Sequence, residues 1–553
     1  MKIKERYQKW IDSSYLSEKD RVSLLKITEG SEIKECFGRE LTFGTGGMRG
    51  ELGLGPNRMN RYMVGKVVQA AMTHLRDGKD EPRVIIAFDT RRMSRLFADE
   101  AARVALANGA RVFLFDGERP VPELSFAVRK LQADIGIMIT ASHNPPEYNG
   151  VKLYGADGAQ LVPKRIQPII DAFSAITELA LIHRDHSNCL SDHTKFSYLG
   201  EEMDEFYVSY CLSQKKRKDV DCAIKVVYTP LHGAGNRLVR RVLARRGYQN
   251  VWTVSSQERP DPDFSTVSTP NPEESEAMQL AVELAKKRDA DLVLATDPDC
   301  DRVGVVVMDQ GKPFPLNGNQ IGALLLNYLI NQTHEIPKGA TVVKTIVTSD
   351  LGRKIAEKNG LICEETLTGF KYIGEKIESF QSLEDRSFFF GYEESYGYLT
   401  GNQVRDKDGV LAAMLIVEMA SFYCCHGVSL RSHLQEIYHD FGFYKEALDS
   451  FESKGLKGQE KIQKIMERFR TRSPFLGSQI KIIDYLSSDT GLPTENVIKV
   501  FFESAWVAIR PSGTEPKLKC YYSTWADSQA ASDESMEMIQ KQMREFIHAE
   551  FDK

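Results

Sequence analysis

Beyond about residue 80 the chain alternates short uninterrupted apolar runs with longer windows in which apolar residues recur every three or four positions. The runs at 84–87, 111–115 and 135–140 predict buried strands, and the windows at 97–108 and 123–130 predict amphipathic helices between them. Strand, helix, strand in that rhythm predicts α/β architecture. The rhythm returns at 223–228 and 291–295, at 341–347 and 387–390, and in a last run at 505–509. Ahead of it, residues 1–40 are rich in Lys, Glu and Ser with spaced apolar positions, which predicts a surface helical arm. The longest apolar stretch, 410–425, carries Glu418 and falls short of the ~18 uninterrupted apolar residues of a membrane span, so it predicts a buried helix. Domain boundaries are expected near 196–205, 312–319 and 425–439. A proline-rich passage at 258–274 is too long for a simple turn.

Length and charge bound the class. A chain of 553 residues has room for about three to four domains. Apolar residues at 42% and charged residues at 27% exclude a disordered, collagen-like or coiled-coil chain. Lys and Arg number 72 against 77 Asp and Glu, a net −5 that offers no electrostatic grip on a nucleic-acid backbone. Nine Cys without a C-x-x-C pattern fit neither a disulfide framework nor a zinc ribbon and suit reduced thiols in a cytoplasmic protein. The start, Met-Lys-Ile-Lys-Glu-Arg, lacks an apolar signal core. Neither nucleic acid nor membrane is expected as a partner.

Four apolar runs end in polar, Gly- or Pro-bearing clusters, and in open α/β sheets ligands sit beyond the carboxyl ends of strands. In Thr140-Ala-Ser-His-Asn-Pro145, Ser142 is a candidate nucleophile or phosphate carrier with His143 beside it; a helix-capping serine is the plain alternative. Lys152, ten residues on, can return a cation to the same mouth. In Asp297-Pro-Asp-Cys-Asp-Arg302, three alternating carboxylates can converge on one hard cation such as Mg²⁺, and Arg302 can meet phosphate oxygens. An EF-hand is excluded, because Arg302 and Met308 stand where its Gly and Glu belong. Arg510-Pro-Ser-Gly-Thr-Glu-Pro-Lys-Leu-Lys519 holds the parts of an anion nest, although Ser512 and Glu515 also fit a capping box. Glu393 and Ser395 can read sugar hydroxyls or begin an exposed helix, and Lys371 can add a cation. The segment 44–50 is not a dinucleotide fingerprint, and no Walker loop is present.

Taken in order, Thr140-Ala-Ser-His-Asn-Pro145, Asp297-x-Asp-x-Asp-Arg302, Glu393-Glu-Ser395 and Arg510-Pro-Ser-Gly-Thr514 resemble the α-D-phosphohexomutase superfamily. The arm, Phe43-Gly-Thr-Gly-Gly-Met-Arg-Gly50 and Gly391-Tyr-Glu-Glu-Ser395 are similar to its longer phosphoglucomutase/phosphopentomutase branch, bacterial members in particular. The resemblance implies four domains around a central cleft, three related α/β domains with mixed sheets and a smaller C-terminal α+β domain. After the arm these would span 41–204, 205–316, 317–435 and 436–553. It implies Ser142 as a phosphoserine and Mg²⁺ held by Asp297, Asp299, Asp301 and the Ser142 phosphate. Lys152 would move protons, with Arg49 and His143 supporting the phosphoryl group. Glu393 and Ser395, helped by Thr368, Gly369 and Lys371, would contact the sugar. Arg510, Ser512, Gly513, Thr514 and Lys519 would hold the distal phosphate. The implied reaction interconverts glucose 1-phosphate and glucose 6-phosphate through glucose 1,6-bisphosphate, which also serves as activator, in a monomer or weak homodimer. Pentose or mannose phosphates are the alternative substrates; a phosphatase or a non-catalytic sugar-phosphate sensor is more distant. The segment 403–409, Gln-Val-Arg-Asp-Lys-Asp-Gly, lacks the histidine that some members carry there.

Overall fold

The structure, a computed structural model, describes residues 3–27, 30–44, 47–76, 78–218, 223–452, 456–471, 475, 479–512 and 517–551. Its strands among these residues form four sheets. The first contains β1 (Met48–Glu51), β2 (Arg83–Phe88), β3 (Arg111–Phe115), β4 (Ile135–Ile139), β5 (Tyr148–Gly155) and β6 (Phe196–Leu199) in the order β1-β5-β4-β2-β3-β6. Helices Ser94–Ala107 and Val121–Lys130 carry the chain from β2 to β3 and from β3 to β4, which makes those strands parallel, whereas β5 returns antiparallel to β4.

The second sheet holds β7 (Val226–Thr229), β8 (Val251–Thr253), β9 (Leu292–Thr296), β10 (Val303–Asp309) and β11 (Lys312–Leu316), ordered β11-β10-β9-β7-β8. The third holds β12 (Ala340–Thr345), β13 (Ile362–Thr366), β14 (Ser387–Glu393) and β15 (Gly397–Leu399), ordered β13-β12-β14-β15. One plan underlies all three sheets. Two βα units lead to a third strand beside the first, and the fourth strand folds back antiparallel on the third. The third-to-fourth connection therefore leaves the carboxyl end of a buried strand in each domain. These connections are 140–147, 297–302 and 394–396, the very loops that carry the candidate chemistry.

The fourth sheet is all antiparallel: β16 (Phe443–Glu452), β17 (Lys481–Asp484), β18 (Ile498–Phe501), β19 (Ala505–Pro511) and β20 (Lys517–Ala526), ordered β16-β20-β19-β18-β17. Helices Leu456–Thr471 and Gln529–Phe551 share its core. Val162 of the first domain, Ile346 of the third and Trp506 of the fourth meet in one apolar cluster. Trp506 Nε1 donates to Asp350 at 3.1 Å and Lys499 Nζ to the Ile346 carbonyl at 2.6 Å, so the fourth domain is seated on the third.

The structure adds detail to three expectations. The helical arm lies on the surface and is docked there: Trp10 packs edge-on against Phe37 and Tyr62, and Tyr15 donates to Glu100 at 2.7 Å. The divisions expected at 204/205 and 435/436 fall inside helices Glu201–Ser213 and Leu430–Phe441, because helices bridge the sheets there. The apolar stretch becomes helix Gly409–Cys425, buried on nearly every side. Its Glu418 is fully buried but satisfied by Arg246 at 2.6 Å and the Tyr328 hydroxyl at 3.0 Å. Among the described residues no single helix is long and apolar enough to cross a membrane. Their cysteines are free thiols.

Candidate functional site

The loop after β4 is held by one buried acid–base pair. The Ser142 N–H donates to Thr140 Oγ1 at 2.8 Å, and the Thr140 hydroxyl donates to Asp89 Oδ2 at 2.6 Å. Asp89 also accepts from the Ser94 hydroxyl at 2.7 Å and faces the Arg91 guanidinium. Arg91 in turn donates to the carbonyls of Ser142 at 2.5 Å, Pro145 at 2.8 Å and Tyr148 at 3.1 Å, and to that of Asn144. A loop that turns away from a sheet would otherwise bury these carbonyls unpaired. So constrained, Ser142 occupies the left-handed region at φ 52°, uncommon for a residue with a side chain. Its Oγ lies 2.9 Å from Asp297 Oδ2 and 3.2 Å from His143 Nδ1. No helix follows it, which removes the capping-serine alternative.

Asp297, Asp299 and Asp301 are buried, with ligand oxygens all within 4.8 Å of one another. Asp297 Oδ1 accepts the N–H groups of Asp301 at 3.1 Å and Arg302 at 3.0 Å, which curls the loop upon itself. Asp299 Oδ1 and Asp301 Oδ1 are buried with no hydrogen-bond partner, the condition a divalent cation would relieve. Oxygen donors of this charge fit Mg²⁺. Burial, reinforced by the charges of Asp299 and Asp301, pushes the Asp297 carboxyl well above the usual range. Burial opposes ionisation of Asp301 too, but Lys152, Lys407 and Arg302 outweigh it and hold this carboxyl low.

The cations reach the triad from three domains. Lys152, on β5, puts Nζ 2.8 Å from Asp299 Oδ2 and 3.1 Å from Asp301 Oδ2. Burial drives it toward neutrality, and the two carboxylates more than reverse this, so it is held as the ammonium. Lys407 approaches from the third domain, with Nζ 3.2 Å from Asp301 Oδ2 and 3.1 Å from Asp406 Oδ1. His143 is kept neutral, first by burial and then by Arg302 and Arg49. Arg49, on β1, donates to Asn144 Oδ1 at 3.2 Å. Arg302 pairs with Glu273.

Arg49, Ser142, His143, Lys152, Asp301, Arg302 and Lys407 line a cleft of roughly 1050 Å³ to which all four domains contribute residues. On its third-domain wall the Ser395 hydroxyl donates to Glu393 Oε1 at 2.8 Å, and burial pushes the Glu393 carboxyl up to about 7. Both lie at the β14–β15 turn, so the helix-start alternative falls away. Gly369, at φ 114°, lets the chain turn beside Thr368, whose buried Oγ1 has no partner, and Lys371, which burial lowers to about 8. Arg510, Ser512 and Lys519 line the fourth-domain wall; Arg510 Nε donates to Glu495 at 2.9 Å, and burial lowers Lys519. Ser512 directly follows β19, and its N–H donates to the Lys517 carbonyl at 2.7 Å. Gly513 and Thr514 lie outside the described residues.

The folded chain thus brings the described candidates into one cleft, or, for Asp297 and Asp299, against the Ser142 and Lys152 that line it, and adds four residues that sequence reasoning missed. Asp89 and Arg91 follow the apolar run 84–87 as Asp-x-Arg, the same strand-then-polar signal that marked the other loops. Lys407 lies within 403–409, a segment whose most visible feature is the missing histidine. Glu273 had no local signal beyond its proline-rich passage.

A serine hydroxyl above a buried carboxylate triad, ringed by cations, with further cations across one cleft, defines a phosphoryl-transfer enzyme. Family models for phosphoglucomutase/phosphomannomutase match in chain order: alpha/beta/alpha domains I, II and III over residues 40–180, 205–311 and 317–441, and the C-terminal domain over 454–543. The chain belongs to this family. It is 38% identical over 543 residues to a phosphoglucomutase of Staphylococcus haemolyticus, covering 95% of this chain and 97% of the relative. It is also 38% identical over 515 residues to a phosphoglucomutase of Staphylococcus aureus strain MSSA476, covering 89% and 91%. In fold it is similar to parafusin of Paramecium in its open form (TM-score 0.71, 17% identity, 92% of this chain and 96% of that one). A phosphoglucomutase/phosphomannomutase family protein of Burkholderia thailandensis is similar too (TM-score 0.69, 18% identity, 92% and 97%).

Proposed function

We propose that the chain is a phosphoglucomutase that interconverts glucose 1-phosphate and glucose 6-phosphate in the cytoplasm, with Ser142 as phosphate carrier and glucose 1,6-bisphosphate as intermediate and activator. The observation that carries this reading is the Ser142 Oγ, 2.9 Å from Asp297 in a buried carboxylate triad, in the same cleft as Lys371, Arg510 and Lys519. A bisphosphate needs both a reacting end and a holding end, and the cleft offers both.

Phospho-Ser142 gives its phosphoryl group to a free sugar hydroxyl. The phosphorus–serine oxygen bond breaks, the phosphorus–sugar oxygen bond forms, and the hydroxyl proton departs. Lys152, held as the ammonium, would protonate the leaving serine oxygen, and neutral His143, 3.2 Å from Ser142 Oγ, would accept the hydroxyl proton. Asp297, Asp299 and Asp301 would hold Mg²⁺, which neutralises phosphoryl charge when bound. The bisphosphate then turns round, and its other phosphate returns to Ser142. Glu393 and Ser395 accept sugar hydroxyls in either orientation, while Lys371, Arg510, Ser512 and Lys519 hold the non-reacting phosphate.

The test is relative turnover of glucose, mannose, ribose and deoxyribose 1-phosphates, with and without Mg²⁺ and catalytic glucose 1,6-bisphosphate. Glucose 1-phosphate should be converted fastest. Faster conversion of another sugar, or net release of phosphate, overturns the assignment.

A further inference from the structure

The proline-rich passage joins β8 to helix Ser275–Arg288, and residues 254–274 form neither helix nor strand. Their role is nonetheless built. In the second domain, His232 Nε2 and Thr266 Oγ1 lie 2.8 Å apart, and His232 Nδ1 is 3.1 Å from the Arg259 carbonyl. Gln257 bridges Thr229 at 2.6 Å and Thr266 at 3.0 Å. Asp261 folds the tip by accepting the N–H groups of Asp263 and Ser265, each at 3.0 Å. That tip crosses to the first domain. Asp263 pairs with Arg92, and the fully buried Phe264 presents its ring to Arg91, whose guanidinium carbon lies 4.9 Å from the ring centroid.

Arg91 is the group that ties down the carbonyls of the Ser142 loop, and its buried Nε has no hydrogen-bond partner. Besides Asp89 and the four loop carbonyls, Arg91 meets the face of the Phe264 ring, which reaches it from the second domain. The far end of the same passage reaches the metal loop. Glu273 pairs with Arg302, and Pro272 packs so closely on β10 that a Cβ at Gly304 would stand 2.7 Å from its carbonyl oxygen. One continuous segment thus touches the clamp of the serine loop and the arginine of the carboxylate loop.

We propose that residues 254–274 are a strap that sets Ser142 against Asp297–Arg302, with Phe264 as a positioning residue that seats Arg91 from the neighbouring domain. The inference rests on the reading of Ser142 as the phosphate carrier. A displacement of about 1 Å at a reacting group costs on the order of a hundredfold in rate, so a loosened clamp is felt in kcat. Phe264 itself does not line the cleft, so substrate binding is expected to be spared.

The experiment compares Phe264→Leu, which keeps apolar bulk without a ring face, with Phe264→Tyr, which keeps the ring. Both are full-length chains in Mg²⁺, assayed with glucose 1-phosphate and glucose 1,6-bisphosphate, and their loop amides are followed by hydrogen exchange. In Phe264→Leu, kcat should fall about tenfold with KM within about twofold, and amides at 142–148 should exchange about tenfold faster. Phe264→Tyr should keep most of both. Parental kcat or parental loop exchange in Phe264→Leu overturns the proposal, as do equal losses in the two variants, which would mark simple packing. If the unaltered chain converts no sugar phosphate, the functional reading fails, and the exchange comparison still decides the strap.

Discussion

Replacing Lys407 with Met, which keeps the length of the buried stem and removes the charge, tests the electrostatic design of the cleft. Lys407 Nζ lies 3.2 Å from Asp301 Oδ2 and 3.1 Å from Asp406 Oδ1. Burial works against its charge, and Asp301, Asp406 and Glu393 hold it above the ordinary lysine value. At such distances and an effective dielectric of about 20, each contact amounts to roughly 5 kcal/mol before desolvation. Desolvation of the ammonium offsets most of that, whereas its removal leaves two buried carboxylates short of a partner, a loss of about 3–5 kcal/mol. Asp301 keeps Lys152 at 3.1 Å, which places the expected loss at the lower end, about 3 kcal/mol. For a cooperative unit of about 150–250 residues this lowers the melting temperature by roughly 10 °C. Scanning calorimetry in metal-free buffer measures it. Added Mg²⁺ should recover more stability in Lys407→Met than in the parent, because a cation on the triad replaces the missing charge. A variant that melts within about 1 °C of the parent, or an equal Mg²⁺ effect on both, refutes this balance of charges.

Three further outcomes follow from the same geometry. Ser142→Ala should lose at least about a thousandfold in mutase rate while its circular dichroism stays parental, since among the described residues the Oγ hydrogen bonds are those with Asp297 and His143; full activity would sink the carrier role. Glu393, raised to about 7 by burial, accepts hydroxyls best when ionised, so kcat/KM should climb as pH rises through about 7. Glu393→Gln should flatten that limb of the profile, and an unchanged limb assigns it to another group. Asp299→Asn removes an unpartnered buried ligand oxygen and should weaken Mg²⁺ binding by about tenfold or more in calorimetry.

Much of the fold was legible in the chain. Strand positions were readable because fully buried parallel strands are short continuous apolar runs, as at β4 (Ile135–Ile139) and β9 (Leu292–Thr296). The loops after them were readable because a strand that ends in Pro, Gly and charge cannot continue its ladder. The docked arm was not, since its spaced apolar residues fit a free amphipathic helix until Trp10 meets Tyr62. Nor were the helices that run across two expected boundaries, because nothing in their periodicity says which sheets they bridge.

By itself, then, the sequence determined which residues could carry charge, accept phosphate or ligate a cation, since these follow from side-chain chemistry and from the breaks in apolar runs. It also determined the repeated strand–helix rhythm. Only the tertiary structure decided that loops about 150 residues apart share one cleft, and which protonation states result. Lys152 is an ammonium because Asp299 and Asp301 close on it from another domain, and Lys371 is lowered to about 8 because the same fold buries it. Arg91, Phe264 and Lys407 gained their roles in the same way. Coulomb energy and desolvation depend on distance and burial, and across domains neither is written in the order of residues along the chain.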